Sequence, residues 1–270
     1  MNAATDRAVV PGSAAIERFS RTGFIVVPGL ASAKVVAFMR ESAEADLAAM
    51  REPLEREADL NYPGAPANRQ APGGETIRRL LRVLDRDPAY ARWALSDAVL
   101  GWIRALLGTP DIRLVQAHHN CVMTKHPRFS SATHWHQDIR YWSFRRNDLV
   151  NCWTALGHET RENGCMQIIP GSHRMKLSPE RFDREKFFRP DLPENRELID
   201  TAISCTLAPG DVLFFHSGAL HAAGRNETDV RKLSAVFSYR AADNPPEPCT
   251  RSAAVAEMDP AGQTRIGPKE

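Results

Sequence analysis

The stretch AISCTLAPGDVLFFH (residues 202–216) decides the fold class. It contains two short runs of β-branched, aromatic and other apolar residues split by a Pro-Gly-Asp turn, a pattern of neighbouring strands rather than of one helix. The same punctuation recurs on both sides: DIRLVQAHHNCVMTK (111–125), DLVNCWTALGH (148–158), GCMQIIPG (164–171) and RKLSAVFSYR (231–240) are short and bounded by Gly, Pro or Asn. The first hundred residues read differently. SAAIERFSRTG (13–23) predicts a helix stopped by Gly23, followed by a strand in FIVVPG (24–29). SAKVVAFMRESAEADLAAMREPLERE (32–57) has a capping serine and apolar residues at helical spacing. DPAYARWALSDAVLGWIRALLG (87–108) predicts a second helical block with a break near Ser96. Helices that come first, with strands following, fit an antiparallel sandwich or barrel with helices packed outside it, not a parallel sheet.

The chain of 270 residues is read as one domain, with a helical part over about 12–108, a β core over about 110–240 and a loose polar tail over 241–270. A chain of this size buries a large core without staples. Hydrophobic content of 43% and charged content of 25% are ordinary for a soluble protein, and a net charge of +2 gives no general reason to expect nucleic acid or a membrane as partner. Five widely spaced cysteines with no C-x-x-C pair argue against a disulfide framework or a zinc ribbon. With no secretory h-region and no apolar span, the expected compartment is the cytoplasm. Two stretches lack a recognisable pattern. DLNYPGAPANRQAPGGET (59–76) is a lid or disorder, and residues 177–197 read as an insertion between strands.

THWHQDIRYW (133–142) raises the chemical question. Residues two apart on a strand project to one face, so His136 and Asp138 can bind one ion. GDVLFFHSGALHAAGRN (210–226) adds His216 and His221, and one late histidine would complete a 2-His-1-carboxylate triad of the kind that suits non-haem Fe(II). Alone, His-x-Asp is more often an ordinary structural pair. Arg231, ten residues after His221 and opening an apolar strand, strengthens the metal reading, because its planar fork suits a carboxylate; alone it would read as a surface salt bridge.

The segments HWHQD through PGSHR (134–174) and PGDVLFFHSGALHAAGRNETDVRKLSAVFSY (209–239) resemble the phytanoyl-CoA dioxygenase family, nearer its phytanoyl-CoA hydroxylase branch than the ectoine hydroxylases. The resemblance implies a double-stranded β-helix of the jelly-roll or cupin-like kind, mainly β with flanking helices. It implies an oxygenase dependent on Fe(II), with 2-oxoglutarate and O2 as co-substrates, that hydroxylates an unactivated C–H of a small carboxylated or CoA-linked substrate and releases succinate and CO2. Carried over residue by residue, it makes His136, Asp138 and His221 the metal ligands and catalytic centre. It makes Arg231 the clamp on the far carboxylate of 2-oxoglutarate, Gln137 and Trp153 its neighbours, and Arg82 the nearest match to a further basic contact. Relatives often carry Ser where this chain has Ala223, so one hydrogen bond to the co-substrate is expected to be absent.

His134, Arg140, Tyr141 and Lys125 are the candidate substrate contacts; the competing readings are a solvated loop with its aromatics tucked into the core for Arg140 and Tyr141, and a solvated end for the lysine. His118 and His119 lie on one strand, so alternation turns one of them inward, for packing rather than chemistry. His216 and His173 are read as structural. Two further functions remain open on the same fold: a non-catalytic metal- or ligand-binding protein, and a cupin-like metalloenzyme that does not use 2-oxoglutarate and leaves Arg231 unexplained. Oligomeric state is not legible.

Overall fold

Glycine at position 23 ends the first helix in the left-handed region (φ 81°), where a side chain would also collide with the ring of His173. The computed structural model describes residues 10–60, 62–140, 142–262 and 264–266. Helix α1 (Ser13–Thr22) leads into β1 (Phe24–Val27), and α2 (Ala33–Ala48) starts on Ser32, whose hydroxyl accepts from the Val35 amide. The block at 87–108 breaks where expected: α3 (Pro88–Ala94) and α4 (Asp97–Leu107) are separated by Ser96, which caps the second helix through the Val99 amide.

The described residues form thirteen strands. They are β1, β2 (Leu54–Arg56), β3 (Ile77–Leu81), β4 (Ile112–Lys125), β5 (Thr133–His136), β6 (Leu149–Ala155), β7 (Met166–Ile168), β8 (Ile203–Cys205), β9 (Val212–His216), β10 (His221–Ala223), β11 (Lys232–Ala241), β12 (Glu257–Asp259) and β13 (Thr264–Ile266). Of these, β2, within the stretch expected to be helical, β3, and β12 and β13 in the tail were not expected. The larger sheet runs β1-β9-β6-β11-β4-β12-β13, with β3 also on β4 and β2 on β3; the smaller runs β5-β10-β7-β8. All the pairings are antiparallel. This is the double-stranded β-helix.

Alternation along β11 divides the core. Leu233, Ala235, Phe237 and Tyr239 pack outward against the helices, with Met39, Tyr90, Trp93 and Ile103. Val236 packs inward between the sheets with Trp153, Met166, Phe215 and Cys121. The stretch 177–197 is an insertion between β7 and β8 that ends in the short helix α5 (Pro193–Ile199). The tail is not loose throughout: β12 pairs with β4, and the Glu257 carboxylate takes both Nε and Nη2 of Arg240, two buried groups. No helix among the described residues is long and apolar enough to cross a membrane.

Candidate metal and anion site

The antiparallel register of β5 and β10 sets His136 directly opposite His221. Asp138 follows in a 3-10 turn (Asp138–Arg140) that folds its carboxylate back between the two rings. The Nε2 atoms of His136 and His221 each lie 3.7 Å from Asp138 Oδ1, and the three donor atoms fall within 4.8 Å of one another. Each Nδ1 is tied to a backbone carbonyl, His136 to His134 (2.8 Å) and His221 to Ala219 (2.9 Å). If each Nδ1 carries the proton, each Nε2 lone pair faces Asp138, which is how a metal-binding imidazole is oriented. All three side chains are buried. The donor set, two imidazoles and one carboxylate, fits a divalent non-haem metal with open positions.

Burial and the neighbouring His221 push His136 down to about 3, so its ring is neutral at physiological pH. Burial alone would raise Asp138, but His119 and His221 beside it hold its carboxyl well below the usual range. Its second oxygen, Oδ2, accepts from Asn151 Nδ2 (2.6 Å) and lies 3.4 Å from His119 Nε2. Burial opposes a proton on His119, yet the charge and hydrogen bond of Asp138 outweigh it and raise the ring to about 9. Alternation does not set the directions of His118 and His119. Phe237 pairs with Asn120 and Ser238 with Val115, so residues 116–119 bulge out of the β4 ladder. His119 thereby reaches the metal ligand, against the packing role expected for it. His118 stacks on Trp142 and bonds Ser252 Oγ (2.8 Å).

A cavity beside the triad is lined by Arg78, His119, Lys125, Trp153, Lys232 and the three ligands, among others. Arg231 is not in it. It precedes β11 with its side chain on the helical side, where Nη1 meets Glu44 Oε2 at 2.6 Å, and it lines a separate groove with Met50, Arg69 and His126. The structure therefore does not bring Arg231 to the cavity, contrary to the expectation. A shift of one residue exchanges the faces of a strand, and it is Lys232 that points inward, 3% exposed. The inward face of β11 then reads Lys232, Ser234, Val236, Ser238, a polar start that the sequence alternation already carried.

Arg82 is corrected too. It sits in a left-handed turn (φ 57°), its side chain 68% exposed and 3.4 Å from Asp85. Arg78 on β3 enters the cavity instead, donating to Ser131 Oγ (2.7 Å) and Thr133 Oγ1 (2.9 Å). Lys125 lines the cavity, its ammonium on the Ser131 carbonyl at 2.8 Å; burial first, then Arg78 and Lys232, lower it well below the ordinary lysine range. Trp153 lines the cavity as well, with Lys232 Nζ 5.0 Å from its ring centre. Gln137 does not line it, and its amide ties β5 to the Gly218 carbonyl (2.6 Å). His216 turns away to Asp148 and His173.

Beside His136 stands Phe187, which the sequence did not single out. Its ring lies 6.2 Å from that of His136, 5.1 Å from His134, 5.8 Å from Tyr62 and 3.5 Å from the guanidinium carbon of Arg140. His134 is exposed there. Tyr141 lies outside the described residues. The two patternless stretches thus meet above the metal ligands, through Tyr62 of the first and Phe187 of the second.

Fold and site together define a protein whose double-stranded β-helix places His136, Asp138 and His221 so that they could hold one metal ion. The family model described as phytanoyl-CoA dioxygenase (PhyH) matches residues 19–233, and the chain belongs to that family. It is 31% identical over 164 residues to a probable phytanoyl-CoA dioxygenase of Caenorhabditis elegans, covering 58% of this chain and 52% of that protein. It is 26% identical over 246 residues to the ectoine dioxygenase of Stutzerimonas stutzeri, covering 85% and 76%. The crystal structure of EctD from S. alaskensis with 2-oxoglutarate and 5-hydroxyectoine superposes with a TM-score of 0.69 at 25% identity, covering 91% of this chain and 81% of that one. The chain spans about half the length of the phytanoyl-CoA dioxygenases it matches, 52% of each of two. Between the two branches, the phytanoyl-CoA side is only weakly favoured.

Proposed function

We propose that the chain is an Fe(II)- and 2-oxoglutarate-dependent oxygenase that hydroxylates an unactivated C–H of a small carboxylated or CoA-linked molecule. The observation that carries this reading is the convergence of His136, Asp138 and His221 within 4.8 Å on a cavity whose wall also holds Lys232, Lys125 and Arg78. Family membership, and relatives named as dioxygenases, support the reaction class. Bound iron supplies the oxidation by O2, in which one oxygen atom goes to the substrate and the other to succinate as 2-oxoglutarate loses CO2.

The protein's part is binding and orientation. His136 and His221 give neutral nitrogens and Asp138 an anionic oxygen, leaving positions open for 2-oxoglutarate and O2. Because Asp138 is a carboxylate, no ligand position is vacated for a halide. Lys232 takes the far carboxylate of 2-oxoglutarate, the role the resemblance gave to Arg231, with Trp153 flanking it. His119 and Asn151 hold the second oxygen of Asp138, which leaves the first for the metal. Phe187 stands beside His136 with Tyr62 against it, and the two segments that carry them select the substrate.

A non-catalytic binder would need no cationic wall beside an intact triad, and a metalloenzyme without 2-oxoglutarate leaves Lys232 without a ligand. The test is succinate formation from 2-oxoglutarate, screened over carboxylic acids, acyl-CoAs and amino-acid derivatives. At least one class should stimulate it in the wild type and none in Asp138→Ala. No succinate in the wild type with any class, or equal amounts in Asp138→Ala, counts against the reading.

A further inference from the structure

Glu159 lies just beyond β6 and is 1% exposed, yet it does not face the cavity. Its Oε1 accepts from Trp153 Nε1 (2.9 Å) and Ser234 Oγ (2.7 Å), and its Oε2 accepts from Lys232 Nζ (3.0 Å). The carboxylate therefore stands behind Lys232, bonded to two residues of the cavity wall and one below it.

The charges around Lys232 show why such a group is there. Lys125 is directly opposite it in the β4–β11 ladder. Arg78 comes from β3 and is 3.4 Å from Glu57, itself fully buried. Glu55 lies 3.8 Å from Arg78 but is committed to Arg79, whose Nε and Nη2 it takes at 2.7 and 2.5 Å. The wall thus sets Arg78 against Glu57 and Lys232 against Glu159, with Lys125, lowered by burial and by both basic neighbours, beside them. An arginine would present a planar, preorganised fork, whereas a lysine is a point charge on a flexible stem. Beside Arg78, that stem needs an anion behind it to keep its ammonium in place.

We propose that Glu159 is the positioning residue of the anion anchor: it fixes the Lys232 ammonium at the cavity wall, where that ammonium meets one ligand carboxylate. In the oxygenase reading above, on which this rests, that carboxylate is the far one of 2-oxoglutarate. Glu159 and Lys232 are then one unit, a lysine with its own counter-anion doing the work of an arginine.

The experiment is anaerobic calorimetry of 2-oxoglutarate binding to the Fe(II)-loaded protein, with steady-state kinetics beside it. Glu159→Gln should weaken 2-oxoglutarate binding by about tenfold or more, while kcat at saturating 2-oxoglutarate stays within about threefold. Adding Lys232→Arg to Glu159→Gln should restore the dissociation constant to within about threefold of wild type, because the arginine fork holds its own geometry. A merely structural glutamate would not be rescued by changing its partner. Unchanged or tighter binding in Glu159→Gln, or no recovery in the double variant, overturns the proposal. Should Glu159→Gln fail to fold, the double variant decides: binding like wild type supports the proposal, and absence of binding overturns it. If the wild type itself binds no 2-oxoglutarate, the oxygenase reading falls and the proposal with it; if only the variants behave otherwise, the proposal falls alone.

Discussion

Two histidines beside Asp138, His119 and His136, end in opposite protonation states, although its charge favours a proton on both. Asp138 holds a proton on His119, raised to about 9, while burial and His221 keep His136 neutral, lowered to about 3. Burial and His119 lower His118 to about 3 as well. From the ordinary value of 6.5, the consequences for stability follow by linkage. Below 6.5 the unfolded chain takes up protons that folded His136 and His118 refuse, so stability falls as pH drops from about 6.5 towards 3. Between 6.5 and 9 folded His119 keeps a proton that the unfolded chain has lost, so stability falls as pH rises. Urea midpoints of the metal-free protein should therefore peak near pH 6 to 7; a midpoint still rising steadily from pH 7 to 9 would contradict the assignment to His119. The clustering of His136 and Asp138 with His221 was legible because His-x-Asp in a strand context has few chemical uses once a late histidine and a cation accompany it. Which basic residue faces the cavity was not read, because arginine is the more familiar carboxylate clamp, although the alternation of the strand turns Lys232 inward. Arg78, Asn151 and Glu159 act through contacts made by strand pairing, which no local pattern records.

At the scale of elements, the insertion between β7 and β8 is held by Phe188, and the residue before it, Phe187, reaches the site. Phe188 is 1% exposed and packs with Ile169 and Leu220 in a cluster joined by Trp135 and Phe182. Its amide donates to the Trp135 carbonyl (2.7 Å) on the ligand strand. That bond sets Phe187 beside the rings of His136 and His134. Phe188→Ala should cost about 3–5 kcal/mol in urea unfolding, the usual range for emptying a buried phenylalanine site; a loss below about 1 kcal/mol would show that the insertion is not anchored there. The turn at Glu162–Gly164 is anchored by backbone geometry: Gly164 has φ 75°, and a side chain there would meet the Gly224 carbonyl oxygen at 2.4 Å. Helix boundaries and strand order were readable because capping serines, Gly23 and the turn residues act locally. The bulge at residues 116–119 was not, since a β-bulge is defined by the partner strand.

Over the whole molecule, the two sheets carry separate parts of the site. The smaller sheet brings His136 and His221 together, and the larger supplies Lys125, Trp153 and Lys232 on its inner face. Helices on the outer face of the larger sheet hold Arg231 through Glu44, so the two adjacent basic residues serve opposite sides of one sheet. The most direct measurement is an anaerobic titration of the Fe(II)-loaded protein with 2-oxoglutarate, following the visible charge-transfer band of the complex. The band should form in the wild type and in Arg231→Ala at similar concentrations, require at least about tenfold more 2-oxoglutarate in Lys232→Ala, and fail to form in Asp138→Ala. No band in the wild type, or a loss of affinity in Arg231→Ala with Lys232→Ala unaffected, would contradict the account.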